Sequence, residues 1–249
     1  MAKDLFSNQA ELYAKYRPSY PAALIDCVLS LVDHKQTAWD CATGNGQAAS
    51  LYADYFEQVV ATDTSEKQIG QATPHPKIIY SIGEAEKTLF SGNSFDLITV
   101  AQAYHWFQFD AFFNEAARVG KNGCIIAVWG YGLAVAADKK INELVKYFYS
   151  DVVGKYWDAE RKYVDQKYET IPFGFKRLPS KEFKIDVEWD VGELLGYFNT
   201  WSSVQHFIKA NDYNPVDMLA DKIKSEWGED QKKKLFSFPV FLLVGRIEK

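Results

Sequence analysis

Apolar positions in the first half of the chain follow two rhythms in turn. Short buried-type runs occur at Ala38-Trp39, Val59-Val60-Ala61, Ile78-Ile79-Tyr80, Phe95 to Ala101 and Cys124 to Trp129. Their length and β-branched content suit strands covered on both faces. Between them, apolar residues recur at helical spacing, as in Leu24, Cys27, Val28 and Leu31 behind Pro21, or Phe112, Phe113, Ala116 and Val119. Proline is tolerated in a first helical turn. Alternation of strand and helix predicts a parallel sheet with helices on both sides.

After Trp129 the rhythm breaks, and residues 131–180 read as helices and loops rich in Tyr, Trp and Lys. A strand-like stretch, Phe183 to Trp189, precedes helical patterns to about residue 228, and Leu235 to Ile247 forms a last strand. The expected architecture is a doubly wound, mostly parallel seven-stranded α/β sheet. Residues 1–130 form its core, 131–180 a helical cap insertion, and 181–249 the remainder with the last two strands.

Composition narrows the function. The 249 residues are 47% hydrophobic, enough for a sizeable core, and the formal net charge of −5 argues against a polyanionic partner such as nucleic acid. Lys232-Lys233-Lys234 is the one basic cluster and reads as a solvated strand entry. Cys27, Cys41 and Cys124 form neither a disulfide framework nor a zinc site, and no metal-ligand cluster is expected. No apolar run has signal-peptide or membrane-spanning length, so the expectation is a cytoplasmic protein off the membrane, a monomer or homodimer. Nine aromatic residues fall between Tyr147 and Phe175, and aromatic walls are the usual build of a small-ligand pocket.

Candidate chemistry starts at the turn Thr43-Gly44-Asn45-Gly46 between the first strand and its helix. Glycines there let a ligand approach the backbone. Gly44-x-Gly46-x-x-Ala49, with Asp63 further on for ribose hydroxyls, satisfies the dinucleotide fingerprint, so NAD(P) and S-adenosylmethionine compete at this point. Asp40 favours the second, because an acid ahead of the turn suits a cationic ligand and repels a pyrophosphate. Tyr163-x-x-x-Lys167 with Ser150 mimics the catalytic set of short-chain dehydrogenases, but Ala48 and Ser50 occupy the places of that family's later glycines.

Asp40-Cys41-Ala42-Thr43-Gly44-Asn45-Gly46 resembles the first motif of class I S-adenosylmethionine-dependent methyltransferases, with Ala42 in place of the first glycine. Gly83-Glu84-Ala85, Phe95 to Ala103 and Ala116 to Gly123 resemble later segments of that family. Tyr13-x-x-Tyr16-Arg17-Pro18-x-Tyr20-Pro21, Ala103 to Phe107 and Thr200-Trp201-Ser202 are similar to the methyltransferase-11-type subgroup that includes trans-aconitate methyltransferase.

The resemblance implies a Rossmann-like fold and a cofactor site built from Asp40, Ala42, Thr43, Gly44, Gly46, Asp63, Thr64, Gly83, Glu84, Ala85, Ala101 and Gln102. Within it, Gly44 and Gly46 would pass beneath the methionine moiety and Asp63 would bind the ribose diol. Tyr13 and Arg17 would fold over it, Arg17 pairing with the cofactor carboxylate, unless this segment simply covers the sheet. His105 is the candidate catalytic group, either as a base for a hydroxyl nucleophile or as a donor that orients a carboxylate. Tyr20, Trp106, Trp129 and the cap arginines Arg161 and Arg177 complete the expected small-molecule acceptor site. The expected activity is methyl transfer to a small acceptor, an organic acid carboxylate among the options. An NAD(P)-dependent oxidoreductase and a non-catalytic S-adenosylmethionine-binding protein are the alternatives.

Overall fold

The buried runs pair side by side in the order the alternation requires. In the computed structural model, which describes Leu12, residues 15–228 and residues 232–249, the first five strands are β1 (Thr37–Cys41), β2 (Gln58–Asp63), β3 (Ile78–Ile82), β4 (Phe95–Ala101) and β5 (Gly120–Tyr131). They lie parallel in the order β3-β2-β1-β4-β5. Two short strands, β6 (Val135–Ala136) and β7 (Lys176–Arg177), then join β8 (Phe183–Trp189) and β9 (Lys234–Arg246). The long β9 runs antiparallel to β5 along its second half and to β8 along its first. Among the described residues the sheet has nine strands. The seven expected ones are present, and the two extra contain two residues each, too few to leave a periodicity. The expected turn Gly120–Gly123 is absorbed into β5, with an irregular register opposite Phe95 and Leu97 and Gly123 at φ +87°.

Period-two alternation explains why one sheet supports two cores. Ala38, Leu97, Ile125, Ala127 and Trp129 face one side, under α1 (Ala22–Leu29) and α2 (Gln47–Tyr52). Trp39, Ile98, Val100, Ile126 and Val128 face the other, under Phe112, Ala116 and Val119 of α4 (Phe109–Val119), which follows the short α3 (Glu66–Gly70). Asp96 interrupts β4 with a charge that is buried yet fully partnered. It accepts from Gln36 N and Thr37 N and lies 2.8 Å from Lys121 Nζ, tying the amino ends of β1, β4 and β5 together.

The cap segment is helical between β6 and β7, with α5 (Lys139–Tyr147) and the one-turn α6 (Arg161–Asp165). Its Ile141, Leu144, Val145 and Phe148 share a core with Leu194, Phe198, Val204 and Ile223 of α7 (Val191–Asn199), α8 (Ser202–Asn211) and α9 (Pro215–Trp227). No packing boundary therefore falls at residue 180, because these aromatic and aliphatic faces bury one another. Among the described residues no helix is long and apolar enough to cross a membrane.

Candidate active site

Parallel register aligns the carboxyl ends of β1 to β4 along one edge, so the loops at 42–46, 63–65, 83–85 and 101–106 stand together. The chain leaves β1 toward β2 on one side and returns to β4 on the other, and α/β sheets bind ligands at such a reversal. In the first loop Ala42, Gly44 and Gly46 all adopt left-handed backbone, at φ +55°, +60° and +80°. For Ala42 that conformation costs about 1–2 kcal/mol more than for glycine. A Cβ on Gly46 would run into the Tyr80 ring, so a side chain here would have to displace that tyrosine.

Asp63 ends β2, and its carboxylate accepts from Gly44 N at 2.8 Å and Ser65 N at 2.9 Å. It thus ties the glycine loop to the second strand at the edge where a sugar would lie. Thr64 beside it and Glu84 are exposed, and Gly83 N donates to Asp63 O. Gln102, at φ +56°, follows the half-buried Ala101. Tyr13 lies outside the described residues.

Asp40 corrects one expectation. It is buried beneath the loop, where Thr43 Oγ1 and, at 2.5 Å, Thr99 Oγ1 donate to it. Burial raises its carboxyl above the ordinary range, against the lowering effect of hydrogen bonds from Thr43, Thr99 and Tyr52. Asp40 therefore braces the turn from below; it does not present an open negative charge to a ligand.

A small cavity, partly open to solvent, lies over the carboxyl end of β4. Core and cap line it together: Arg17, Gln102, His105, Trp106, Trp157, Asp158, Arg161, Val164 and Ser202. Arg161 is held in place on two sides. Its Nε donates to Tyr149 Oη at 2.8 Å and to Asp165 Oδ1 at 3.2 Å, and its guanidinium lies 4.7 Å from the Trp157 ring centre. Among the described residues its terminal Nη nitrogens have no protein partner. Arg17 is more committed, with Nη1 donating to Tyr131 Oη and Nη2 to Thr200 O.

His105 sits on a short helical turn after β4, with Nδ1 2.8 Å from Tyr168 Oη and its ring 4.8 Å from that of Trp106. Burial, reinforced by the Arg161 cation, pushes its imidazole down to about 3. The ring is neutral at physiological pH and a weak base. Unfolding exposes it to take up a proton below about pH 6.5. Stability from this group is therefore complete above pH 6.5 and falls by about 1.4 kcal/mol per pH unit on acidification toward 3. Thermal melts from pH 7 to 4.5 should fall more steeply for the wild type than for His105→Gln; parallel curves would contradict the buried neutral ring.

Three expected acceptor residues lie elsewhere. Trp129 is fully buried in the sheet core, and Tyr20 packs edge-on against it, 5.6 Å between centroids. Arg177 is exposed on the two-residue strand β7, opposite Gly245, which itself pairs with Ile126 in the middle of β5. It is not among the residues that line the cavity. Ala85 is likewise buried in the second core. Sequence reasoning missed Asp158, Val164, Ser202 and Tyr168. Asp158 and Arg161 close one turn ahead of the helix, with Arg161 N donating to Asp158 O, a spacing that offered some signal; nothing local marked Tyr168.

Known proteins place this geometry. A methyltransferase-domain family model matches residues 39–128. A Dictyostelium discoideum protein named as a methyltransferase is 31% identical over 251 residues, spanning 98% of this chain and 95% of its own. The chain belongs to the class I S-adenosylmethionine-dependent methyltransferases. A solved structure from Anaeromyxobacter dehalogenans, described as a type II methyltransferase, superposes on this methyltransferase with a TM-score of 0.85 at 33% identity, covering 94% of this chain and 99% of the other. A Bacillus halodurans structure at 20% identity and TM-score 0.52, covering 92% and 98%, shares the fold.

The oxidoreductase alternative falls with this membership. The cofactor is S-adenosylmethionine, and the residues suit it. Gly44 and Gly46 offer backbone without side chains for close approach, and Asp63 offers a carboxylate to a diol.

Proposed function

We propose that this methyltransferase methylates a carboxylate oxygen of a small organic acid. The observation that carries the reading is Arg161, a cavity-lining guanidinium stacked on Trp157 whose terminal nitrogens have no protein partner among the described residues. Such a fork matches a carboxylate through two parallel charge-assisted hydrogen bonds. Arg17 adds a second positive charge to the same wall and Asp158 a negative one.

In this reading the glycine loop and Asp63 hold the cofactor, and bound S-adenosylmethionine supplies a methyl group made electrophilic by its sulfonium. The chain's own work is to bind the acid, aim it and exclude water. Arg161 anchors the carboxylate while Trp106 and Trp157 wall off solvent, and alignment of this kind is worth up to about 7–11 kcal/mol of barrier. An ionised carboxylate has no proton to lose, which suits a site whose one histidine is a weak base. The cap segment 131–180 supplies the acceptor side through Trp157, Asp158, Arg161 and Val164.

The test is a panel of matched skeletons, each offered as acid, amide, alcohol and amine with labelled S-adenosylmethionine. Label should enter the acids alone, as base-labile methyl esters. Base-stable label, or label in the alcohols or amines, would reject the carboxylate.

A further inference from the structure

Tyr168 belongs to no motif, yet it makes the one side-chain hydrogen bond His105 has among the described residues, 2.8 Å from phenol oxygen to Nδ1. The contact is built with care for its geometry. Tyr168 is fully buried, its ring 4.9 Å from Phe241 and 5.8 Å from Tyr104. Its backbone is left-handed at φ +60°, directly after Lys167 at φ +53°. Two such non-glycine residues in succession are strained, and strain of this kind persists where the surroundings over-determine it. Here Tyr168 N donates to Tyr163 O at 2.8 Å, and Ile171 N donates back to Tyr168 O.

One hydrogen lies between the phenol oxygen and Nδ1. A phenol is a good donor and a poor acceptor, whereas a neutral imidazole nitrogen is a good acceptor. We propose that Tyr168 is a positioning residue: its hydroxyl donates to Nδ1, fixes His105 as the Nε2–H tautomer, and so makes Nε2 a hydrogen-bond donor to the acceptor's carboxylate. The proposal rests on the carboxylate reading above for its ligand. A reversed bond, with Nδ1–H donating to the phenol, would leave a lone pair on Nε2 and make His105 a base.

Proton-detected nitrogen NMR of the full chain labelled in its histidines decides between them. The His105 pair, assigned by its loss in His105→Gln, should show a protonated Nε2 and an unprotonated Nδ1. Tyr168→Phe removes the hydroxyl and keeps the ring. It should mix the tautomers and lower kcat/KM for the best acid about tenfold through KM, with KM for S-adenosylmethionine unchanged. His105→Gln keeps an N–H near the Nε2 position and should stay within about tenfold of wild type, while His105→Ala should lose about 100-fold.

A protonated Nδ1 in the wild type would overturn the proposal even if every variant misfolded. So would a Tyr168→Phe protein with unchanged tautomer and KM, or a Gln variant as inactive as the Ala variant. If no acid in the panel is methylated, the carboxylate reading fails by itself, and the wild-type tautomer still decides the role of Tyr168.

Discussion

Arg161→Met should lower kcat/KM for a carboxylate acceptor by about 100-fold while leaving the affinity for S-adenosylhomocysteine within about threefold. Methionine keeps an apolar stem against Trp157 and Tyr149 but removes the charged fork. Hydrogen bonds to charged groups contribute about 1.5–3 kcal/mol each, and the half-open cavity screens part of two such bonds, so about 3 kcal/mol is the expected loss. The fold should lose little, about 0.5–1 kcal/mol of cation–π contact plus the Nε bonds to Tyr149 and Asp165. Arg161→Lys should recover only part of the activity, because an ammonium cannot meet both carboxylate oxygens in one plane. Steady-state kinetics with a melting curve checks this. A folded Met variant with wild-type acceptor KM would remove Arg161 from the site.

Asp63→Ala should weaken binding of S-adenosylhomocysteine by at least about 100-fold in calorimetry. The carboxylate accepts from Gly44 N on one oxygen and from Ser65 N on the other, and a carboxylate oxygen can accept more than one hydrogen bond, as contact with a ribose diol requires. Losing both outward bonds costs about 3 kcal/mol or more. Losing the inward pair also loosens the glycine loop, a stability cost of about 1–3 kcal/mol that should appear as a lower Tm in a protein still folded. Asp63→Asn should fall between, since one amide oxygen remains and its NH2 confronts a backbone donor. An alanine variant that melts lower but binds within threefold of wild type would confine Asp63 to bracing the loop.

The legibility of the site differed residue by residue for one physical cause. Gly44, Gly46 and Asp63 stood out because their roles are local: left-handed backbone, absence of a side chain, and an acid at a strand's end. Trp129 and Arg177 misled because burial and edge are decided by pairing partners far along the chain, 113 and 68 positions away, which leave no trace in local pattern. Trp129 sits inside the sheet opposite Leu242, and Arg177 sits opposite Gly245 on a two-residue strand paired with β9. Arg161 and Arg177 carry the same side chain in the same aromatic-rich segment, and nothing short of strand register tells them apart.

By itself the sequence determined the alternation of strands and helices, the glycine turn and the acid on the second strand, because each depends on hydrogen bonding and sterics within a few residues. Only the tertiary structure decided that Asp40 lies under the turn, that Arg161 and not Arg177 faces the cavity, and that Tyr168 reaches His105. Those outcomes depend on which surfaces bury one another, and burial is a property of the assembled layers, not of any segment taken alone.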